Sequence, residues 1–406
     1  MKKIIEKWKQ TNLIVKIALG IVIGAVLGLA FPQATVIGYL GTLFIGALKG
    51  IAPVLVFFLV AGSISQAGSG IGKKFRNVVI LYILSTFIAA VSAVLISRTF
   101  PLAVTLPGVT EAGTSAPQSL GEIFENLLQN VVENPFSAIA NGNYLGILFW
   151  AITIGIGLKK LGNAAFNQGI GSFSQALSQV VSGIIQCAPF GILGVVFSAV
   201  STSGLSIFTS YGKLILELVG TMLFVMFVTN PLIMFLCTRE NPYPLLLTCI
   251  KESAVSAFFT RSSAANIPVN MKLCEKLGLD KDFYSVSIPL GSTVNMDGAA
   301  VVITIMSFTL ANTLGMKISL PTNLLLAIIS TLAACGASGV AGGSLLLLPM
   351  ACSLLGISAD NAMQMVAVGF VISVIQDSME TALNSSADVA FTATAEKMEK
   401  LKAAKQ

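Results

Sequence analysis

Long apolar runs follow one another through roughly the first 240 residues of the chain, separated by short polar segments. Each run reaches about 20 residues or more, which is the length that an α-helix needs to cross the hydrocarbon core of a bilayer. The pattern therefore predicts six membrane-spanning helices, over residues 13–33, 36–66, 77–99, 120–158, 170–203 and 207–238.

The pattern changes after residue 241, where clusters of Ser, Gly, Asn and Pro interrupt the apolar runs in their middles. The interruptions are "FFTRSSAANIPVN" at 258–270, "STVNMDGAA" at 292–300 and "AACGASGVAGGS" at 333–344. Irregular backbone at membrane depth is tolerated only where it is buried in protein or lines a watery cavity, because lipid offers no partner for a free N–H or C=O. A row of simple spans does not explain this half of the chain.

Two of these interruptions have flanks that are each too short to span. The flanks are 243–259 and 267–276 around the first, and 322–333 and 345–356 around the last. Both segments are predicted to be re-entrant helical hairpins, whereas "NMDG" lies inside a full-length run and predicts a spanning helix unwound at its centre. The order hairpin then span occurs twice, and paired interrupted segments are typical of a transporter's binding site. The expected inverted repeat rests on this architecture, since the residues themselves do not repeat.

Composition and charge support an integral membrane protein. The chain is 55% apolar and 10% charged, with a mean hydropathy of +0.86, whereas soluble domains carry about 25% charged residues. The charged start "MKKIIEKWKQ" precedes a run without a small-residue cleavage site, so we expect a retained first helix. The net charge of +6 follows from basic residues at segment ends, and no nucleic-acid partner is expected.

The same basic residues predict the orientation of the chain. No Lys or Arg lies between Arg98 and Lys159, where several glutamates occur, so this stretch is expected to be an outside loop and its following helix. Both termini, and the basic residues after the second and fourth spans, are expected to be cytoplasmic. We therefore expect a multi-pass protein of the cell inner (plasma) membrane.

Histidine and cysteine usage narrows the chemistry. The chain has no histidine, which removes the commonest metal ligand and near-neutral proton carrier. Its six cysteines lie in or beside apolar segments without a CxxC pair, so we expect small buried side chains rather than disulfides or metal ligands. Zinc chemistry and a His-based triad are not expected, and the chain is not expected to be an enzyme.

A polar stripe near the C-terminus, in "QDSMETALNSSAD", is the strongest candidate site. On a helix, Asp377, Thr381, Asn384 and Asp388 fall within one narrow stripe, with Glu380 at its edge. Charges at membrane depth are costly unless they bind something. Carboxylate, hydroxyl and amide oxygens suit ammonium groups and hard cations such as Na⁺.

An internal ion-pair network is the alternative explanation of the carboxylates. Its obvious partner is Arg261 in "TRSSAA", which we expect to neutralise Asp377 or Glu380. One arginine does not balance four acids, which are Asp297, Asp377, Glu380 and Asp388. A network therefore does not explain all of them.

The three interrupted segments carry chemistry of their own. On a regular helix Asn295 and Asp297 would point apart, and unwinding at "NMDG" would bring them together and expose carbonyls for a cation. Ser262 and Ser263 lie where a short helix would begin, so their N–H groups are placed to receive a carboxylate. The second tip has three glycines that allow a gate, Gly339, Gly342 and Gly343. Close packing through small residues is the alternative explanation of both tips.

Together, "TRSSAANIP", "PLGSTVNMDGAA", "GASGVAGGS" and "QDSMETALNSSAD" resemble the dicarboxylate/amino acid:cation symporters, which have the glutamate-transporter fold, and within them the bacterial sodium:serine/threonine branch. The resemblance covers essentially the whole chain. It implies an all-α homotrimer in membrane lipid, each protomer with eight transmembrane helices and two re-entrant hairpins, in which a transport unit moves like an elevator against a fixed scaffold. The implied units are scaffold 1–76 and 120–206, transport unit 77–119 and 207–395, and cytoplasmic tail 396–406.

The resemblance also implies the roles of individual residues toward a small amino-acid substrate and Na⁺ as coupling ion. Asp377 would pair with the substrate ammonium and Asn384 would contact its carboxylate. The implied substrate-binding residues are Arg261, Ser262, Ser263, Val340, Gly343, Asp377, Glu380, Thr381 and Asn384. The implied sodium ligands fall into three sites: Gly291, Asn295, Asn384 and Asp388; Thr293, Ala334 and Ala337; and Ser85, Thr86, Asn295 and Asp297.

Two departures from the family pattern bear on the substrate. Members that carry acidic substrates have an arginine at the position of Glu380 and a threonine at that of Ala299. A second substrate carboxylate would meet repulsion at Glu380, and a buried like-charge contact costs several kcal/mol. Serine and threonine are therefore the expected substrates, and aspartate, glutamate or dicarboxylates the alternative.

Two other classes of protein remain as alternatives. A passive channel also needs a polar lining, but it requires no carboxylate to bind an ammonium group. An intramembrane hydrolase would use one of the many serines, but no histidine, lysine or second acid stands ready to activate one.

Overall fold

The computed structural model describes residues 11, 13–66, 73–106, 132–337 and 342–403. Within these residues every regular element is helical, which confirms an all-α protein. The charged N-terminal segment, most of the expected outside loop, and Gly339 and Val340 lie outside the described residues.

The first part of the described chain forms a series of helices connected by short turns. They are α1 (Leu13–Ala30), α2 (Gly38–Gln66), α3 (Lys73–Thr99), α4 (Pro135–Asn141), α5 (Tyr144–Leu161), α6 (Ala164–Gln186) and α7 (Ala188–Ser203). The helices α1, α2 and α3 agree with the first three predicted spans to within a few residues.

The fourth and fifth predicted spans are wrong as single helices. Residues 120–158 were expected to be one helix, but α4 ends before Gly142, which is left-handed (φ 67°), and Asn143 caps α5 by accepting a hydrogen bond from the N–H of Gly146 (3.2 Å). Residues 170–203 were expected to be another, but α6 and α7 meet at a bend of 55°. Pro189 lies in the first turn of α7, a position where its missing N–H is harmless.

Apolar contacts hold the early helices together. The helix α1 lies along α7, and α2 packs against α5, α6 and α7. At Gly24 the approach is so close that a Cβ would lie 2.5 Å from the carbonyl oxygen of Leu193. Small residues of this kind let membrane helices gain van der Waals contact along their backbones.

The second part of the described chain is longer and more irregular. Its helices are α8 (Ser206–Phe224), α9 (Asn230–Thr238), α10 (Tyr243–Cys249), α11 (Val255–Thr260), α12 (Ser263–Lys276), α13 (Lys281–Val294), α14 (Asp297–Thr313), α15 (Leu320–Ala334), α16 (Leu348–Leu354) and α17 (Ala359–Ala403). The helix α3 packs with this group, against α14, α15 and α17.

The predicted interruptions are present as breaks between helices. Arg261 is left-handed (φ 53°) and Ser262 is extended between α11 and α12. Asn295 and Met296 separate α13 from α14, which confirms the unwinding at "NMDG". A short 3-10 turn, Ser344–Leu347, leads into α16. That the two helix–turn–helix segments re-enter the membrane stays a prediction.

Two π-turns, which the sequence did not predict, lie within this second part. Val225–Thr229 joins α8 to α9, and Ile250–Ala254 joins α10 to α11. A π-turn inserts one extra residue into a helix and often marks a functional position.

The second π-turn carries Ser253 into a buried polar network between α12 and α17. Ser253 Oγ donates to Asn270 Oδ1 (2.5 Å), Asn266 Nδ2 donates to Ser385 Oγ (2.8 Å), and Asn270 Nδ2 donates to the carbonyl of Ser385 (3.0 Å). These bonds fasten the arm that follows the first tip to the helix that carries the polar stripe.

Several helices have the length and hydropathy of membrane spans. The described residues contain five such spans, or six if the bent pair α6 and α7 is one span. This confirms several spanning-competent helices, and the count of eight stays a prediction.

The last helix extends past the predicted start of the C-terminal tail. The α17 helix continues to Ala403, and Glu396 Oε2 accepts the backbone N–H of Asp280 (2.9 Å). Lys74 Nζ donates to the Asp280 carboxylate at 3.0 Å, and this hydrogen bond lowers the pKa of Asp280 below its usual value.

All six cysteines are free thiols. Cys249, Cys274 and Cys352 are buried as predicted, whereas Cys187 at the bend between α6 and α7 is exposed.

Candidate functional site

The polar stripe of α17 faces the interior of the protein. Asp377, Thr381, Asn384 and Asp388 are all 5% exposed or less, and Glu380 is 6% exposed. The elements around them are the two tips, the "NMDG" break and helix α3. The stripe therefore lies where the irregular segments meet.

Asp377 joins the two tips. Arg261 Nε donates to Asp377 Oδ2 at 2.7 Å, and both side chains are buried. The N–H of Gly342, in the second tip, donates to Asp377 Oδ1 at 3.1 Å. This decides between the two expected partners of Arg261, which contacts Asp377 rather than Glu380.

Glu380 is held by neutral donors. Ser344 Oγ donates to Glu380 Oε2 at 2.7 Å, and Gln376 Nε2 donates to the same oxygen at 2.5 Å. Sequence reasoning missed Gln376, although its position one helical turn before Glu380 signals the contact. Ser344 follows the second tip, so Glu380 also ties that segment to α17.

Asn384 contacts the unwound segment. Its Oδ1 accepts the N–H of Gly298 at 2.7 Å, and its Nδ2 lies 3.3 Å from the sulfur of Met296. Gly298 is required here, because a Cβ would lie 2.8 Å from the Cα of Glu380. The break at "NMDG" thus packs directly on the stripe.

Asp388 lies in an oxygen-rich pocket. Asn295 Nδ2 donates to Asp388 Oδ1 (2.9 Å) and to the carbonyl of Asn384 (3.2 Å). Asp388 Oδ2 is buried and has no hydrogen-bond partner among the described residues. Gly291 lies directly against this carboxylate. The four residues named for the first implied sodium site therefore lie together, and their binding of Na⁺ stays a prediction.

Asp297 lies in a second such pocket. Ser85 Oγ donates to Asp297 Oδ1 at 2.9 Å and Thr86 Oγ1 donates to it at 3.1 Å. Ser85 Oγ also lies 3.1 Å from Asn295 Oδ1, so unwinding does bring Asn295 and Asp297 to one place. Asn230 Nδ2 donates to Asp297 Oδ2 at 2.8 Å, a contact that sequence reasoning missed.

The remaining predicted residues are less closely joined. Thr293 Oγ1 donates to the carbonyl of Leu290 within its own helix (2.9 Å), while Ala334 and Ala337 are buried near the second tip. Cys335 Sγ lies 3.4 Å from the carbonyl of Val294, which brings this tip beside the end of α13.

The two tip residues Ser262 and Ser263 form the start of α12 as predicted. Ser262 Oγ caps the helix by accepting the N–H of Ala265 (3.2 Å), and Ser263 is buried. Gly343 lies at the start of the 3-10 turn, and Val340 lies outside the described residues.

The donor set fits Na⁺ rather than a transition metal. Across the described ranges, no three Asp, Glu, His or Cys side chains cluster in one place. Each pocket instead has one buried carboxylate beside amide groups and either hydroxyl or carbonyl oxygens, and oxygen atoms are the ligands of hard cations. The orphaned Asp388 Oδ2 is a buried charge-bearing atom that a cation would satisfy.

Known proteins provide an independent comparison. The chain is similar to bacterial proteins named serine/threonine transporter SstT. It is 55% identical to the one from Bifidobacterium adolescentis, over 98% of this chain and 92% of that protein. It is 53% identical to the one from Streptococcus agalactiae and 51% identical to the one from Streptococcus thermophilus, over 98% of each chain.

A family model agrees with these likenesses. It is described as the sodium:dicarboxylate symporter family, and it matches residues 13–398, which include every element of the candidate site. The chain therefore belongs to the sodium:dicarboxylate symporter family.

Proposed function

We propose that this protein imports serine and threonine, and other small neutral amino acids, together with Na⁺. The observation that carries the proposal is the pair of buried carboxylate pockets, at Asp388 and Asp297, beside a stripe with no cationic partner described for Glu380. The family is one of symporters rather than enzymes, and the named relatives are serine/threonine transporters.

The substrate ammonium is proposed to bind Asp377. Both oxygens of this carboxylate now accept hydrogen bonds, from Arg261 and Gly342. Substrate would therefore compete with the two tips for one carboxylate. The substrate carboxylate would contact Asn384 and the N–H groups at Ser262 and Ser263, where the dipole of α12 favours negative charge. Thr381 lies next along the stripe.

Selectivity is proposed to follow from Glu380. Its described partners, Ser344 and Gln376, are neutral. A second substrate carboxylate would meet this side chain rather than a guanidinium, whereas the hydroxyl of serine or threonine would find an acceptor. Ala299, which is fully buried, supplies no polar group.

The coupling ions are proposed to occupy three oxygen sites. The first is the Asp388 pocket with Asn295, Asn384 and Gly291. The second uses carbonyls near Thr293, Ala334 and Ala337. The third is the Asp297 pocket with Ser85, Thr86 and Asn295.

The same proposal covers the architecture. Each protomer would have eight spans and two re-entrant hairpins. A scaffold of residues 1–76 and 120–206 would remain fixed, while residues 77–119 and 207–395 carry the site across the membrane. Three protomers would assemble in the inner membrane with cytoplasmic termini and the tail 396–406 inside. The apolar side chains exposed on α1 and α2 support contact with lipid or a neighbouring protomer.

A symporter of aspartate, glutamate or dicarboxylates is the second candidate, because the family's description names dicarboxylates. Arg261, the positive charge at the first tip, already pairs with Asp377. This pairing favours neutral substrates.

Uptake by the purified protein in proteoliposomes tests the proposal. We expect labelled serine to accumulate with an inward Na⁺ gradient and not with a K⁺ gradient. Excess unlabelled threonine should abolish the signal and excess aspartate should leave it. Serine uptake that persists without Na⁺ would show that transport is not coupled to Na⁺. Competition by aspartate would instead favour the symporter of acidic substrates.

A further inference from the structure

Asn230 lies inside the predicted span 207–238, where an amide side chain is unexpected. It follows the π-turn Val225–Thr229 directly and precedes Pro231. Its side chain is buried, with 3% exposed. Polar residues at this depth are costly unless they contact a partner or serve a site.

The π-turn aims Asn230 at Asp297. One extra residue rotates everything after it by about 100° around the helix axis. In the described arrangement Asn230 Nδ2 donates to Asp297 Oδ2 at 2.8 Å, whereas Ser85 and Thr86 donate to the other oxygen, Oδ1. The irregular turn thus places an amide on the one carboxylate oxygen that α3 does not reach.

Only one of the two polar atoms of the Asn230 amide has a described hydrogen-bond partner. Asn230 Oδ1 is buried and has no hydrogen-bond partner among the described residues. A half-turn of the amide about its last side-chain bond exchanges Nδ2 and Oδ1. The oxygen would then face the pocket that now receives the N–H.

Asp297 has no counter-charge among its described hydrogen-bond partners. It is fully buried, and its described partners are three neutral donors. A buried carboxylate without a counter-charge is strongly unfavourable, so a cation bound beside it would stabilise the folded protein.

We propose that Asn230 is a further ligand of the cation at Asp297: its amide N–H satisfies the carboxylate when the ion is absent, and its Oδ1 turns in when the ion binds. This inference rests on the proposed function, since it concerns the coupling ion of that function. It adds to the pocket an oxygen from α9, which lies outside the segments that the interrupted pattern singles out.

The test is Na⁺-dependent thermal stability of the detergent-purified protein without serine, with choline replacing Na⁺. In Asn230→Leu, which keeps the branched shape and removes the amide, we expect the half-maximal Na⁺ concentration to rise at least fivefold. Thr229→Val is the matched control, because among the described residues Thr229 Oγ1 bonds only the carbonyl of Val225 within the same π-turn (3.2 Å). Its titration should match the wild type within twofold.

A second variant separates ligation from a purely structural hydrogen bond. Asn230→Asp keeps the shape but places two carboxylates together, so a ligand role predicts lower stability in choline and a larger gain on adding Na⁺. Equal loss in both salts, or a wild-type titration in a folded Asn230→Leu, would overturn the inference. If the wild type showed no Na⁺-dependent serine uptake, the proposed function would be wrong. A failure of the proposed function is therefore distinguishable from a failure of the Asn230 inference.

Discussion

The helices that pack around α2 and those that pack around α17 are held together by different forces. In the apolar stretch of α2 that could span the membrane, only 39% of the residues are buried, and Leu43 is 71% exposed. In the corresponding stretch of α13 and α14, 94% of the residues are buried. The first group presents apolar side chains outward, whereas the second encloses its polar side chains.

The difference follows from what each group has to keep away from lipid. Contacts such as Gly24 against the backbone of Leu193 need no polar partner. The carboxylates of α17 and α14 are instead surrounded by donors from other helices, because a charge at this depth is stabilised only by a partner or an ion. The first group is therefore suited to holding its position in lipid, and the second to binding polar ligands.

The largest expected effect comes from removing the charge that joins the tips. Asp377→Asn should abolish serine binding, because the ammonium loses its counter-charge. It should also lower the free energy of unfolding, since breaking a buried ion pair costs about 3–5 kcal/mol. Binding titrations and denaturation in detergent measure the two effects.

The double variant Asp377→Asn with Arg261→Gln separates these effects. It removes the unpaired guanidinium, so stability should recover while serine binding stays lost. Recovery of serine binding in the double variant would show that Asp377 serves only the ion pair.

A smaller effect is expected from reversing a charge in the stripe. Glu380→Arg with Ala299→Thr should raise the ratio of aspartate to serine affinity about 100-fold, because a like-charge contact worth several kcal/mol becomes attractive. Glu380→Gln is the control and should change the ratio less, since it removes repulsion without adding a guanidinium. An unchanged ratio in the double variant would place selectivity elsewhere. Competition binding with labelled serine measures it.

Much of this second group was predictable from local pattern. The "NMDG" cluster predicted the unwinding, and helical spacing predicted the buried stripe. Asn230 was not predictable, because its contact with Asp297 joins residues 67 apart and depends on a π-turn inside an apolar run. The role of Gln376 was predictable, since Gln376 and Glu380 lie one helical turn apart.

The wrong spans in the first group have a different cause. Run length alone predicted one helix over 120–158, although "NGN" at 141–143 is a turn signal. Apolar content does not reveal the bend before Pro189, because an apolar run continues through it. A local turn signal therefore marks the first break, whereas neither run length nor apolar content marks the second.

The same glycine-to-alanine substitution is expected to have different effects in the two groups. Gly298→Ala would place a Cβ 2.8 Å from the Cα of Glu380, and Gly24→Ala would place one 2.5 Å from the carbonyl oxygen of Leu193. Overpacking of this kind costs about 1–3 kcal/mol. We expect Gly298→Ala to weaken serine binding about tenfold, and Gly24→Ala to lower thermal stability with serine affinity unchanged. Equal loss of affinity in both would erase the distinction between the groups.

The smallest expected effect lies where the two groups touch. Lys49 of α2 forms an ion pair with Asp360 at the start of α17, and both side chains are substantially exposed, at 47% and 78%. If one group slides against the other during transport, this pair opens in every cycle. Exposed ion pairs contribute about 0–1 kcal/mol, so Lys49→Ala should change the serine uptake rate by no more than about fivefold.

A double-mutant cycle makes this prediction sharp. Lys49→Ala and Asp360→Ala should not add, because each removes the same pair, and the double variant should resemble either single one. Lys276→Ala is the control, since Lys276 pairs with Glu252 inside the group around α17 and that contact need not open. Uptake rates in proteoliposomes measure both. If Lys276→Ala changed the rate as much as Lys49→Ala, the boundary between the groups would have no special role in transport, and the two groups would differ in packing alone.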